Sequence, residues 1–252
     1  MSLNTPRPPA RPASRFSPRP AGHESGGSGQ PVALRSEETR ATFITRTYLH
    51  LFGAILAFTL LEMAFFMSGL ALPMAQAMLS TSWLLVLGGF VVVSWLASRI
   101  AHVAESPAVQ YAALGGYVVA EAIIFVPLLL IAQVAAPGVI QSAAVVTLFG
   151  FTGLTVVVFA TRKDFSFLGA VLGWCGVVAL LLIVSGAIFG FELGTFFSVA
   201  MVALAGGAIL HDTSKVLHHF PEDRYVAASL ELFASVALLF WYVLRLYLSR
   251  ED

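Results

Sequence analysis

An all-α integral membrane protein, a bundle of seven transmembrane helices, is the fold class this sequence predicts. Three observations carry the prediction. The chain is 58% hydrophobic and 11% charged, with a mean hydropathy of +0.85, whereas soluble domains run at about 25% charged. Its apolar stretches recur at about 20 residues, the length that crosses a hydrocarbon core. Short turn signals separate them: Pro73, Pro107, Pro137 with Gly138, Gly190 with Gly194, and Pro221. A formal net charge of zero gives no pull toward nucleic acid. The single Cys175 excludes an intramolecular disulfide and a cysteine metal centre.

Residues 1–42 form the first element, a Pro/Gly/Arg-rich tail. Seven of the twelve prolines, a GGSG stretch and Arg7, Arg11, Arg15 and Arg19 fall within the first forty residues. So little apolar surface cannot offset the entropy of ordering, so the tail is expected to be disordered. No apolar core of a secretory signal precedes Phe43. A basic cytoplasmic tail near anionic lipid is the expectation.

Residues 43–252 form the membrane domain. Its expected spans are Thr47–Ser68, Ser82–Ala101, Ala108–Ala132, Gly138–Thr161, Phe167–Gly190, Gly194–Lys215 and Tyr225–Leu248. Connections are short, so neighbours should run antiparallel. Pro127 inside the third span predicts a kink. Small residues at Gly169 and Gly173, Ala203 and Gly207, and Gly115 with Gly116 predict close helix approach.

Positive charge orients the bundle. Arg35, Arg40 and Arg46 precede the first span, Arg99 and His102 follow the second, Arg162 and Lys163 follow the fourth, and Lys215 and Arg224 bracket the last turn. The alternate connections carry none. The positive-inside rule then puts the N-terminus in the cytoplasm. Seven spans place the C-terminus outside, against the charge of Arg245 and Arg250; a re-entrant last helix would remove that conflict.

Four carboxylates fall within spans: Glu62, Glu121, Asp212 and Glu231. Each costs on the order of 3 kcal/mol at mid-membrane, so function is the default reading. At about 1.5 Å rise per residue, Asp212 and Glu231 lie roughly 5–10 Å from the cytoplasmic ends of the sixth and seventh spans, where they can meet. Glu121 lies past the midplane of the third span. Glu62 lies near the outer end of the first, where it is expected to reach water. The bland alternative for Asp212 is a cap or a pair with Lys215 or His218, but the macrodipole at a helix C-terminus disfavours an anion. Two close carboxylates in low dielectric are expected to share a proton. Without it they would offer oxygen ligands to a hard cation such as Ca²⁺. Arg99 could instead neutralise one of them. Ser235, four residues after Glu231, shares its helix face and could donate a hydrogen bond.

Several segments together resemble the Bax inhibitor-1 family, the transmembrane Bax inhibitor motif proteins, over about residues 46–248. They are TRKDFSFLG at 161–169, LHDTS at 210–214, Glu121 in an Ala-Glu-Ala context, and the small-residue and aromatic run 227–246. The resemblance implies a bacterial member with a seven-helix fold whose last helix is central. It also implies a pH-sensitive calcium leak gated by two aspartates. Asp212 matches the sixth-helix aspartate. Counting back from Arg245, the seventh-helix position is Ser235, with Glu231 one turn earlier. The family's gate-closing arginine corresponds loosely to Arg99.

The leading expectation is therefore a proton-regulated cation (calcium) leak of the bacterial inner membrane. Asp212, Glu231, Ser235, Glu121 and Arg99 would line its gate, and Asp212 with Glu231 would offer Ca²⁺ ligands. Its partners would be the lipid bilayer, cations and protons. The alternative is a non-conducting regulatory protein that binds membrane proteases or stress-response partners. No resident cofactor is expected and no enzyme. His211, Asp212, His218 and His219 could seed a metal hydrolase, but adjacent histidines do not share a helix face, and neither an HExxH nor a Gly-x-Ser-x-Gly pattern occurs. A retinal protein lacks a mid-membrane lysine.

Overall fold

The structure, a computed structural model, describes residues 30–249. A Ser36 N-cap, whose hydroxyl accepts from the Thr39 amide at 3.3 Å, and Glu37 and Glu38 in the first turn start a long helix α1, Glu37–Met67. A short helix α2, Ala71–Ser80, follows. Then come α3 (Trp83–Val103), α4 (Pro107–Ala135), α5 (Val139–Thr161), α6 (Leu168–Phe189), α7 (Gly194–His218) and α8 (Tyr225–Leu248). Seven of the eight are long and apolar enough to cross a membrane. The chain is a multi-pass integral membrane protein.

Of the tail expected to be disordered, residues 1–29 lie outside the described residues. Residues 30–42 are ordered, contrary to expectation. A single 3-10 turn, Val32–Leu34, packs under the bundle with Val32 fully buried. The Val32 amide donates to the Phe220 carbonyl at 2.8 Å, and Phe43 stacks on Phe220. Val32 supplies burial that composition averaged over forty residues conceals, and it does so beside Phe43 at the start of the membrane domain. α2 was likewise unforeseen. Pro73 stands in its first turn, where a missing N–H costs nothing.

α8 is the axis of the bundle. In its apolar window 72% of residues are buried, against 11% in α3 and α6. It packs on α7, α1, α5, α4 and α3. α6 is peripheral and rests chiefly on α7. The small-residue contact there is real at two places: a Cβ on Gly169 would stand 2.8 Å from the His211 ring, and one on Gly207 would stand 3.0 Å from Leu172. Gly173, Gly115 and Gly116 face nothing within 4 Å. α8 is one uninterrupted helix, and Arg245 near its end lines a cleft between helices.

The loop from α5 to α6 is stapled to α7. Arg162 closes α5 in the left-handed region at φ 51°, and the chain then turns through Asp164. The Asp164 carboxylate accepts from the Ser166 amide at 2.9 Å and the Ser214 hydroxyl at 3.1 Å, and pairs with His219 at 3.0 Å. Ser214 Oγ in turn accepts from the Phe165 amide at 2.8 Å. These donors, the Ser166 amide foremost, hold the Asp164 carboxyl well below the usual carboxylate range. The 161–169 segment therefore locks the end of α7 in place.

Candidate functional site

The α7–α8 turn brings the two halves of the site together in antiparallel register. Asp212 and Lys215 are three apart on α7, and Glu231 and Ser235 are four apart on α8, so each helix presents two groups one turn apart. Two polar layers result. In the deeper one, Ser235 Oγ donates to Asp212 Oδ2 at 2.6 Å, with Asp212 only 9% exposed. In the layer nearer the tail side, Lys215 Nζ donates to both Glu231 oxygens, at 2.8 and 2.6 Å.

His102, at the end of α3, completes the outer layer. Its Nε2 lies 2.9 Å from Glu231 Oε1 and its Nδ1 lies 2.8 Å from the Ser98 carbonyl. Carbonyl and carboxylate oxygens only accept. Both ring nitrogens must then donate, which places a proton between His102 and Glu231. Lys215 also stands over the Phe220 ring at 5.1 Å.

Asp212 and Glu231 thus do not bond to each other. Each is engaged elsewhere, Asp212 by Ser235 and Glu231 by Lys215 and His102. Ca²⁺ seeks six to eight oxygens, and among the described residues no three His, Cys, Asp or Glu converge on a metal position. Arg99 is not part of the site. It is exposed, one helical turn before His102, and its guanidinium lies over the Trp95 ring at 5.6 Å. Lys215 and His102 do what Arg99 was expected to do. Lys215 had been considered only as a partner of Asp212; its spacing of sixteen from Glu231 across a tight turn is the signal that could have paired them.

Two cavities flank the layers. On the tail side, a pocket of about 800 Å³ is lined by His102, Lys215, His219, Phe220 and Arg224 among others. On the other side, a cleft of about 490 Å³ between α3, α4, α6, α7 and α8 has Ser235, Glu121, Tyr117 and Arg245 on its wall. Glu121 is buried there and accepts from the Tyr117 hydroxyl at 2.7 Å. Ser235 therefore touches both the cleft and Asp212. The histidines of the hydrolase alternative diverge: His211 faces the Phe165 carbonyl, His218 faces Ser214, and His219 pairs with Asp164.

Comparison with known proteins agrees with this architecture. Residues 40–252 match the family model described as inhibitor of apoptosis-promoting Bax1. A protein of Vaccinia virus (strain Lister) named Golgi anti-apoptotic protein is 31% identical over 114 residues, 43% of this chain and 46% of that protein. An uncharacterised protein of Pseudomonas aeruginosa is 34% identical over 113 residues, 43% of this chain and 49% of that protein. The matched stretch spans about half the length of each relative.

Proposed function

Since this chain belongs to the Bax inhibitor-1 family of membrane proteins, we propose that it is a proton-regulated cation leak pathway, with calcium as its cargo and Asp212 as its inner gate. The observation that carries the proposal is the stack of two polar layers between two cavities. The Lys215–Glu231–His102 cluster faces the tail-side pocket, and the Asp212–Ser235 bond faces the opposite cleft. Positive charge on the connections at the tail end supports a cytoplasmic tail side, in a bacterial inner membrane.

Regulation follows from the charges. The shared proton and Lys215 together leave the outer layer without negative charge to offer, and a fixed ammonium there repels an incoming cation. Raising the pH removes the proton between His102 and Glu231 and adds negative charge, which favours cation entry. Glu121, on the cleft wall, supplies a further attraction on the far side. Conduction is therefore expected to increase from pH 5 to 8. Calcium flux into proteoliposomes across that range tests it, comparing native protein with Asp212→Asn and Glu231→Gln. Flux unaltered by both substitutions would sink the gate assignment.

A second reading has an observation of its own. α6 leaves Trp174, Phe189 and Leu181 exposed along a helix whose window is only 11% buried. A membrane-protein partner docked on α6 would suit a regulatory role without conduction. Crosslinking from position 174 to another membrane protein, with no calcium flux at any pH, would favour this reading over the leak.

A further inference from the structure

The cleft bounded by α1, α4, α5 and α8 lies apart from both polar layers and encloses about 520 Å³. Glu62 stands on its wall. The residue is only 7% exposed, and neither carboxylate oxygen has a hydrogen-bond partner among the described residues. It does not reach water as its position near the helix end had implied. Among the described residues no Lys, Arg or His lines the cleft. Thr147 Oγ1, also on the wall, is buried without a partner among the described residues. Most of the remaining wall is apolar, with Phe58, Phe66, Phe233 and Phe240 contributing rings.

An uncompensated carboxylate in low dielectric is costly, and a cation that enters beside it offsets that cost. The surroundings decide which kind of cation. A hard divalent ion needs six to eight oxygens, and here one carboxylate is joined only by Thr59, Thr147, Gln133 and Gln141 on a wall that is otherwise apolar. An organic cation fits both features: its charge meets Glu62, and its apolar body meets aromatic walls that also attract cations. A phospholipid headgroup fits poorly, since its phosphate would enter beside the same carboxylate.

We propose that this cleft binds a lipophilic organic monocation, an amine or onium ion with an aromatic or alkyl body, with Glu62 as its counter-charge. The proposal is independent of the leak reading, because no residue of the two gating layers lines the cleft.

The test is equilibrium binding of labelled tetraphenylphosphonium to the full-length protein in phosphatidylcholine nanodiscs, with empty nanodiscs subtracted. Saturable binding is expected to weaken about tenfold or more in Glu62→Gln. Ala144→Phe, which fills the cleft and keeps the carboxylate, should weaken it similarly. Asp212→Asn should stay within about twofold, which separates this site from the gate. Tetraphenylborate, the same shape with the opposite charge, should not compete on native protein; that comparison needs no variant to fold. Native-like binding in Glu62→Gln would overturn the proposal. So would competition by tetraphenylborate, which would make this an apolar cleft indifferent to charge. Displacement by millimolar calcium or by added phospholipid would overturn it as well, assigning the site to an inorganic ion or a lipid.

Discussion

Glu231 and Glu62 are the same side chain in the same bundle, and their surroundings are opposite. Glu231 sits where three helices converge, with Lys215 on both oxygens and His102 on one. Glu62 sits in a cleft of hydrocarbon and phenyl rings with no partner for either oxygen among the described residues. A membrane-embedded carboxylate marks function only in the sense that its cost must be met somewhere. The first meets it within the protein, through Lys215 and His102. The second has no such partner among the described residues.

The comparison is broken most directly by removing the cation from the satisfied site. Lys215→Met leaves Glu231 with His102 alone and should cost about 2–3 kcal/mol, somewhat below a fully buried pair because both side chains keep some exposure. Thermal unfolding in detergent measures it, and the Lys215→Met/Glu231→Leu double variant should recover most of the loss. A loss below about 0.5 kcal/mol in the single variant would show the pair to be a surface-like bridge. Ser235→Ala comes next. Asp212 loses its donor at 2.6 Å, and a drop of about 1–2 kcal/mol is expected in the same assay. Leak through the protein should also rise at fixed pH if this bond closes the inner layer.

The sign should reverse at the unsatisfied site. Glu62→Gln removes a charge without orphaning a partner, so stability should hold or rise by about 1 kcal/mol, whereas Glu231→Gln should lower it. Equal losses in both would erase the distinction between the two carboxylates. The smallest effect concerns Asp164, which lies outside the membrane-spanning helices. A carboxylate held below its unfolded value stabilises the fold at pH above that unfolded value, about 3.9, and the contribution is lost as pH falls through the lower folded one. The melting temperature of Asp164→Asn should therefore sit slightly below native at neutral pH, and the gap should close toward about pH 2. A gap that widened in acid would show that the Asp164 charge does not hold the α5–α6 loop to α7.

Much of the architecture was legible in the sequence. The seven spans emerge from hydropathy because a bilayer tolerates few other backbones than an uninterrupted apolar helix. Their ends were off by up to ten residues at α1, whose first turns carry Glu37, Arg40 and Arg46 and so escape a hydropathy window. The site was legible in part. Asp212 and Ser235 were both singled out, and heptad-scale spacing is enough to place them near one turn. Lys215, His102 and Tyr117 were missed as partners, and Arg99 was misplaced. A helix rotates each residue by about 100°, so Arg99 and His102 lie on neighbouring rows of α3, and which of the two cations reaches Glu231 depends on how α3 packs against α4 and α8.

Composition and apolar periodicity alone determined that this chain is a seven-span helical membrane protein, and the spacing of its carboxylates named the end of the bundle where charge would gather. These are local properties, set by the free energy of moving each segment from water into hydrocarbon. Tertiary structure alone decided which carboxylate is compensated. Engagement of Glu231 by Lys215 and His102, and burial of Glu62 beside a largely apolar cleft, depend on helices brought together from distant parts of the chain. Electrostatic energy in low dielectric depends on distances of a few ångströms that no spacing within one segment specifies.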